Sequence, residues 1–229
     1  AGADPDTPQC GAGNRQPQGP PRPAEAGLRQ DPPHPGAHRR QRARRFAFHV
    51  HAGGVPPDRL RQAHRLLAAD GSLYFHIDYR EVHYAKVMCD QIFGRSCFQN
   101  EIIWSYDYGG RPTRKWAPKH DNILWYTRDP EKYTFDLDAS DRIPYMAPNL
   151  VGAEKAARGK IPTDVWWNTI VSPTGKEKTG YPTQKPRTII DRIVTVHTAP
   201  NALCADFFAG SGTLGASCLA YGRDAILVD

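Results

Sequence analysis

Apolar side chains recur at intervals of three and four residues in three parts of the chain, the spacing that places them on one face of a helix. The first predicted helix lies between Asp58 and Asp70, the second is capped by Asp78 and ends at Gly94, and the third has Pro186 in its first turn. Their apolar positions are Leu60, Ala63, Leu66, Leu67, Val82, Ala85, Met88, Cys89, Ile92, Phe93, Ile189, Ile190, Ile193 and Val194.

Shorter runs rich in β-branched and aromatic residues predict strands between and after these helices. They cover residues 72–77, 101–106, 122–126, 203–208 and 224–229. The last two flank a glycine-rich turn and a short helix, which predicts a βαβ unit and a sheet that is at least partly parallel. We therefore expect one α/β domain over residues 56–229. Within it, residues 129–180 are broken by proline and glycine, so we expect an irregular stretch or a small insertion there.

The first 45 residues differ in composition from the rest of the chain. They hold nine of the 21 prolines, and Leu28 is their single large apolar residue. Such a segment buries too little apolar surface to offset its conformational entropy, so we expect residues 1–55 to be disordered. Because alanine, glycine, proline and arginine dominate it, two interpretations stay open: a natural basic tail, or a misassigned or out-of-frame start translated from G/C-rich codons.

Net charge, hydropathy and cysteine content indicate the kind of partner and the compartment of the protein. The 229 residues carry a formal charge of +6, and the first 45, with eight arginines and four acids, supply most of it. A basic chain is typical of proteins with an anionic partner, most often nucleic acid. No apolar run is long enough to span a membrane, and we expect no secretory signal. Five cysteines without a Cys-x-x-Cys pair predict reduced thiols in a cytoplasmic protein, with no structural metal.

The strongest chemical signal is a glycine loop between a predicted strand and helix. Gly210, Gly212 and Gly215 match G-x-G-x-x-G, a pattern that lets a cofactor approach the backbone at a helix N-terminus. Asp229 lies 19 residues after the first of them, where a carboxylate can accept both ribose hydroxyl protons. The loop and acid fit a nicotinamide enzyme or an S-adenosylmethionine (AdoMet) enzyme. With no second βαβ half after Asp229, and with Asp206 available to a cationic ligand group, AdoMet is the expectation.

From residue 58 onward the sequence resembles the N-4 cytosine/N-6 adenine DNA methyltransferases. The most specific matches are Thr183-Gln-Lys-Pro186 and Asp206-Phe-Phe-Ala-Gly-Ser-Gly-Thr213. Further matching runs are Gly71-Ser-Leu-Tyr-Phe-His-Ile-Asp78, Asn100-Glu-Ile-Ile-Trp104, His120-Asp-Asn-Ile-Leu-Trp-Tyr126, Asp164-Val-Trp-Trp167 and Gly180-Tyr-Pro-Thr-Gln-Lys-Pro186. Their order is that of the permuted β class, in which the catalytic half precedes the cofactor half. The resemblance implies a Rossmann-like AdoMet-dependent methyltransferase sheet with helices on both faces and circularly permuted motifs.

The resemblance also implies an activity. It is methyl transfer from AdoMet to the exocyclic amine of adenine (N6) or cytosine (N4) in double-stranded DNA, with a restriction endonuclease as a possible partner in a restriction-modification system. The implied cofactor-binding residues are Thr183, Gln184, Lys185, Pro186, Asp206, Phe207, Phe208, Gly210, Ser211, Gly212, Thr213 and Asp229. Gln184 to Pro186 would border the methionine part of AdoMet, Asp206 to Thr213 would hold its amino-acid end, and Asp229 its ribose.

The catalytic element departs from the family pattern. In this family an Asp-Pro-Pro-Tyr or Asp-Pro-Pro-Phe element accepts hydrogens from the target amine and stacks on the extruded base. The candidate here is Asp31, Pro32, Pro33 and His34, where histidine replaces the stacking ring and no apolar strand precedes it. An active enzyme and a catalytically inactive remnant with residual cofactor or DNA binding both stay open. No cysteine follows a proline, which argues against methylation at cytosine carbon five.

A basic loop is the candidate DNA contact. Its residues are Arg111, Arg114, Lys115 and Lys119. They lie near Trp104, Trp116 and Trp125 in the sequence, a combination suited to phosphate contacts and base stacking. A solvated loop over ordinary core aromatics explains the same pattern, so both interpretations stay open.

Overall fold

The computed structural model describes residues 57–229, and the segment for which disorder is predicted lies outside the described residues. The helices are α1 (Pro57–Leu66), α2 (Val82–Phe93), α3 (Ala153–Arg158), α4 (Arg187–His197) and α5 (Thr213–Tyr221). The strands are β1 (Ser72–Asp78), β2 (Phe98–Ser105), β3 (His120–Thr127), β4 (Val165–Trp167), β5 (Leu203–Asp206) and β6 (Asp224–Leu227). Single 3-10 turns cover Arg95–Cys97 and Pro148–Leu150.

The strands form two hydrogen-bonded sheets. The larger has the order β1-β3-β2-β4, with β3 antiparallel to both of its neighbours and β4 parallel to β2. The smaller is the parallel pair β5 and β6, joined through α5. This pair confirms the βαβ unit expected from the glycine loop. Within residues 57–229, β1 and β5 each pair with another strand on one side only.

Helices cover both faces of these sheets. On one face, α1 and α2 pack against Phe75 of β1, Tyr126 of β3 and Ala205 of β5. On the other, α4 and α5 pack against Tyr74 of β1 and Cys204 of β5, among other residues. Neighbouring residues of β1 and of β5 therefore face opposite layers, as strand geometry requires. The arrangement is the three-layer α/β class expected from the sequence, with the apolar core divided between two layers.

The start of α2 differs from its predicted position. Asp78 is the last residue of β1, and α2 begins at Val82 with Glu81 as its N-cap residue. The Asp78 carboxylate accepts hydrogen bonds from the Arg80 backbone, at 2.9 Å, and from the Arg80 guanidinium. Bonding to Arg80 lowers the pKa of Asp78 and closes the turn between the strand and the helix. The prediction that Asp78 caps the helix was wrong because local hydrogen bonds in the turn use its carboxylate.

The stretch for which irregular structure is predicted contains one strand of the larger sheet. Residues 165–167 form β4, which pairs with β2 and is the edge strand of the larger sheet. Trp166 of β4 is buried, whereas Val165 and Trp167 on either side of it are exposed. Three residues are too few for a periodicity argument, which is why the sequence pattern did not reveal this strand.

Two further observations concern expectations from composition. No helix in the described part of the chain is long and apolar enough to cross a membrane. Cys89, Cys97 and Cys218 are buried, and no disulfide joins the cysteines of residues 57–229.

Candidate functional site

The glycines of the G-x-G-x-x-G motif are required either by a positive φ or by a close contact with a neighbouring side chain. Gly210 and Gly212 have φ values of +47° and +72°, in the region that favours glycine. A Cβ on Gly210 would lie 2.9 Å from the ring of Tyr181. A Cβ on Gly215, within α5, would lie 2.6 Å from Leu227 of β6. The loop therefore lies tightly against Tyr181, and α5 lies tightly against β6.

A cavity of about 250 Å³ opens beside this loop. It lies between the end of β5, the segment before α4, and the first turns of α4 and α5. Its lining residues are Tyr181, Thr183, Lys185, Ile190, Asp206, Phe208, Ala209, Gly210, Ser211, Thr213, Leu214 and Asp229. The lining combines a glycine loop, hydroxyls and three acidic or basic side chains, a composition typical of a site for a polar, charged small molecule.

Asp206 is the most unusual ionisable group of the cavity. Its side chain is buried, and its Oδ1 accepts a hydrogen bond from the Phe208 backbone N–H at 3.0 Å. Burial is the main cause that raises the pKa of Asp206 to about 7; the bond from Phe208 acts to lower it, and the nearby charge of Asp229 acts to raise it. A buried carboxylate of this kind is stabilised in its charged form by a cation, so the cavity favours a ligand with a positive group beside Asp206.

Asp229 holds the glycine loop from the neighbouring strand end. Its Oδ1 accepts a hydrogen bond from the Gly210 backbone N–H at 3.1 Å. The Ala209 N–H donates to the Val228 carbonyl at 2.9 Å, beside the same strand. Asp229 thus lies at the cavity wall and helps to fix the conformation of the loop.

Lys185 joins the cavity to the larger sheet. Its Nζ lies 3.6 Å from Oδ2 of Asp121, and the same oxygen lies 2.9 Å from Nε2 of His76. The Tyr106 hydroxyl donates to Oδ1 of Asp121 at 3.3 Å, and burial raises the pKa of Tyr106 to about 12, so the hydroxyl keeps its proton. Burial lowers the pKa of Lys185, while Asp121 acts to raise it.

The same contacts show that the carboxyl ends of β1 and β5 lie close together. Asp121 pairs with Asp78 at the carboxyl end of β1, and Lys185 shares the cavity with Asp206 at the carboxyl end of β5. Both strands therefore end at one edge of the layered structure. Ligands of open α/β folds bind at this kind of edge.

The structure brings together most of the implied cofactor residues. Thr183, Lys185, Asp206, Phe208, Gly210, Ser211, Thr213 and Asp229 line the cavity. Four others do not line it, and each has a role in the fold. The side chain of Gln184 bonds to Thr179 and to the Glu177 carbonyl. Pro186 and Gly212 are the N-cap residues of α4 and α5, and Phe207 packs against the layer of α1 and α2.

Four lining residues are not among the cofactor-binding residues that the sequence resemblance implies. They are Tyr181, Ile190, Ala209 and Leu214. Tyr181 and Ala209 lie inside the matching runs 180–186 and 206–213, so proximity to those motifs was the available signal. The predicted catalytic residues Asp31, Pro32, Pro33 and His34 lie outside the described residues.

The basic loop contains two kinds of cationic side chain. Arg111 forms an ion pair with Asp107 at 2.7 Å, and Lys119 donates to the Tyr108 and Gly110 carbonyls. These two residues hold the loop in shape. All four basic residues line an open groove of about 730 Å³, and Arg114 and Lys115 are exposed there. Of the four residues proposed for DNA contact, Arg114 and Lys115 are thus the two best placed to meet an external anion.

A second cavity of about 250 Å³ has a different character. Its walls are mainly apolar and include Trp125, Phe135 and His197. Burial lowers the pKa of His197 to about 4, so the ring is neutral. Its Nδ1–H donates to the Thr134 carbonyl at 2.9 Å, and its Nε2 accepts from the Tyr74 hydroxyl. With both nitrogens bonded inside the core, this histidine has a structural role.

Comparison with known proteins gives a consistent family match. The family model described as DNA methylase matches residues 56–229. The chain is 32% identical over 173 residues to the type II methyltransferase M.HpaI of Haemophilus parainfluenzae, covering 74% of this chain and 52% of that protein. It is 28% identical to the DNA adenine methyltransferase YhdJ of Escherichia coli, covering 73% of this chain and 59% of that protein. The chain thus spans about half the length of the curated relatives it matches.

Solved structures agree on the fold. The PvuII cytosine-N4-specific DNA methyltransferase matches with a TM-score of 0.60 and 13% identity, covering 82% of this chain and 76% of that one. The M1.HpyAVI–SAM complex matches with a TM-score of 0.56 and 19% identity, covering 82% and 83%.

Proposed function

We propose, since this chain belongs to the DNA methylase family, that it transfers a methyl group from AdoMet to the exocyclic amine of adenine or cytosine in DNA. The single observation that carries the proposal is the cavity at the glycine loop, where a buried carboxylate and a second carboxylate meet the loop. We further propose double-stranded DNA as the substrate, a restriction endonuclease as a partner, and the cytoplasm as the place of action.

The residues of the cavity fit AdoMet. Its ammonium group supplies the cation that buried Asp206 favours. Ser211 and Thr213 offer hydroxyls at the start of α5, and a helix N-terminus favours a carboxylate. We infer that Asp229 accepts the ribose hydroxyl protons through Oδ2, since Oδ1 accepts from the Gly210 N–H. When bound, AdoMet supplies an electrophilic methyl group.

The protein's own residues chiefly provide position. Displacement at a methyl carbon needs the two reactants held in line and needs no covalent enzyme intermediate. Gly210, Asp206 and Lys185 line the cavity, and the basic loop leads into β3, whose Asp121 contacts Lys185. The group that accepts hydrogens from the target amine stays a prediction at Asp31, which lies outside the described residues.

The direct test is calorimetry of AdoMet with the full chain, together with incorporation of tritiated methyl groups into unmethylated DNA. We expect micromolar or tighter binding and incorporation that depends on the protein. Binding without incorporation favours the inactive remnant. Absence of AdoMet binding would contradict the proposal.

The affinity for AdoMet is expected to rise with pH up to neutrality. Because the pKa of Asp206 is about 7, the carboxylate must lose a proton before it pairs with the ammonium of AdoMet. Binding should therefore be about fivefold weaker at pH 6.0 than at pH 7.5, because the gain in carboxylate outweighs the partial loss of the ammonium proton, whose pKa is about 7.7–8.0. Calorimetry at both pH values measures this. The Asp206→Asn variant should bind more weakly and lose the dependence, and a dependence that persists in it would exclude Asp206 as the cause.

Arg114 and Lys115 are expected to determine the salt dependence of DNA binding. Each phosphate contact contributes about 0.9 to the slope of log K against log salt, so the double variant Arg114→Gln, Lys115→Gln should lower the slope by about 1.8. Titrations of an unmethylated duplex at several salt concentrations measure this. The matched control Arg61→Gln, Arg65→Gln removes the same charge from α1 and should leave the slope unchanged.

A further inference from the structure

The tryptophans near the basic loop differ sharply in exposure. Trp104 and Trp125 are 2% and 6% exposed and belong to the core, whereas Trp116 is 97% exposed. Tryptophan is the largest side chain, and leaving its ring in water forfeits the free energy gained when such rings are buried. Trp116 lines the same groove as Arg114 and Lys115, and an exposed aromatic ring among cations is typical of surfaces that bind nucleic acid.

An ion pair and hydrogen bonds within the loop that carries Trp116 stabilise its conformation. The ion pair between Arg111 and Asp107 and the bonds from Lys119 to the Tyr108 and Gly110 carbonyls brace its two sides. Because Arg111 pairs with Asp107, the remaining charge of the groove comes from Lys119, whose bonds are to carbonyls, and from Arg114 and Lys115 beside the ring. The local surface is an indole ring with two adjacent cations and a third in the same groove.

The position of this loop places the ring near the cofactor cavity. The loop joins the end of β2 to the start of β3, where Ser105 pairs with His120. The next residue, Asp121, contacts Lys185 in the cavity wall. Trp116 lies five residues before Asp121, a chain length of at most about 17 Å. The exposed ring and the cavity therefore share one edge of the fold.

We propose that Trp116 inserts into the DNA helix and stacks where the target base is withdrawn. The inference rests on the proposed function, because a base must leave the helix for its amine to reach the cavity. Withdrawal leaves neighbouring bases unstacked, and an aromatic ring restores a stacking contact regardless of sequence. Trp116 is thus a positioning residue. The two adjacent cations identify DNA as the occupant, in preference to a second copy of this basic chain.

An abasic duplex provides the test, because it already holds the gap that Trp116 would fill. Anisotropy titrations compare the full chain on an intact duplex and on the same duplex with one abasic site. We expect the wild type to bind the abasic duplex about tenfold more tightly, Trp116→Ala to lose this preference, and Trp116→Phe to retain most of it. The control Leu219→Ala removes another exposed apolar side chain, 85% exposed near the end of α5, and should behave as wild type.

Three results would overturn the inference. One is an unchanged abasic preference in Trp116→Ala, and another is wild-type protein that does not bind DNA. The third is a wild-type dimer in sedimentation that Trp116→Ala dissociates, which would assign the ring to a contact between copies. AdoMet calorimetry on the same samples separates the two proposals. Wild-type binding of AdoMet with unchanged abasic preference in Trp116→Ala would refute only the role of Trp116, and absence of AdoMet binding would refute the proposed function itself.

Discussion

Replacement of Gly210 by alanine is expected to weaken AdoMet binding at least 100-fold, or about 2.7 kcal/mol, while the protein stays folded. Gly210 has φ of +47°, where an L side chain costs about 1–2 kcal/mol. The new Cβ would lie 2.9 Å from the Tyr181 ring, which lines the cavity, so the ring or the loop must move into the ligand's space. Movement of the loop also misplaces the amide that Asp229 holds. Calorimetry with AdoMet and a thermal melt measure the two effects separately.

Gly222→Ala is the matched control for this substitution. Gly222 has φ of +67°, and no atom lies within 4 Å of the Cβ that alanine would add. It follows α5 at the end remote from the glycine loop. The control variant therefore carries the backbone strain without the contact at the cavity. It should lose some stability and keep its AdoMet affinity, and equal losses of affinity in both variants would show that strain alone explains the Gly210 result.

The glycine loop could be predicted from the sequence because each requirement is local. A strand, three glycines and an acid 19 residues later are properties of adjacent segments, and the structure places Gly210 and Asp229 in direct contact. Asp206 was recognised for the same reason, as a carboxylate four residues before Gly210 near the end of the strand predicted over residues 203–208, and in the structure it is the last residue of β5. The family resemblance added Thr183 and Lys185, which lie in a separate part of the chain and meet the loop only in the folded protein.

The sequence did not show which of several neighbouring or similar residues face the cavity or solvent and which bond within the protein. Gln184 lies between two cavity residues in the sequence, yet it bonds to the Thr179 and Glu177 backbone instead. Arg111 and Arg114 look alike in the sequence, but the partner of Arg111 is Asp107, four residues earlier. Side-chain direction and competition for local partners decide these cases, and neither appears in a pattern of residue types.

Trp104→Ala is expected to destabilise the fold by about 3–5 kcal/mol, the range for removing a large buried aromatic side chain. Trp104 is 2% exposed near the carboxyl end of β2, and its Nε1–H donates to the Asn168 carbonyl at 2.6 Å. Alanine would leave a cavity and an unpaired carbonyl together. The midpoint of thermal unfolding should fall by about 10 °C. Urea denaturation followed by circular dichroism measures the change in free energy.

The same substitution should also weaken AdoMet binding in the protein that remains folded. The Trp104 ring lies edge-on to His76, and the Lys185 ammonium lies 5.5 Å from its centroid. Both residues contact Asp121, so the ring supports the group that joins the larger sheet to the cavity. Trp167→Ala is the control, since Trp167 is 75% exposed and its loss should change stability by less than about 0.5 kcal/mol. A destabilised Trp104→Ala variant that binds AdoMet with wild-type affinity would contradict this. It would show that Trp104 stabilises only the core and that Lys185 keeps its position when the ring is removed.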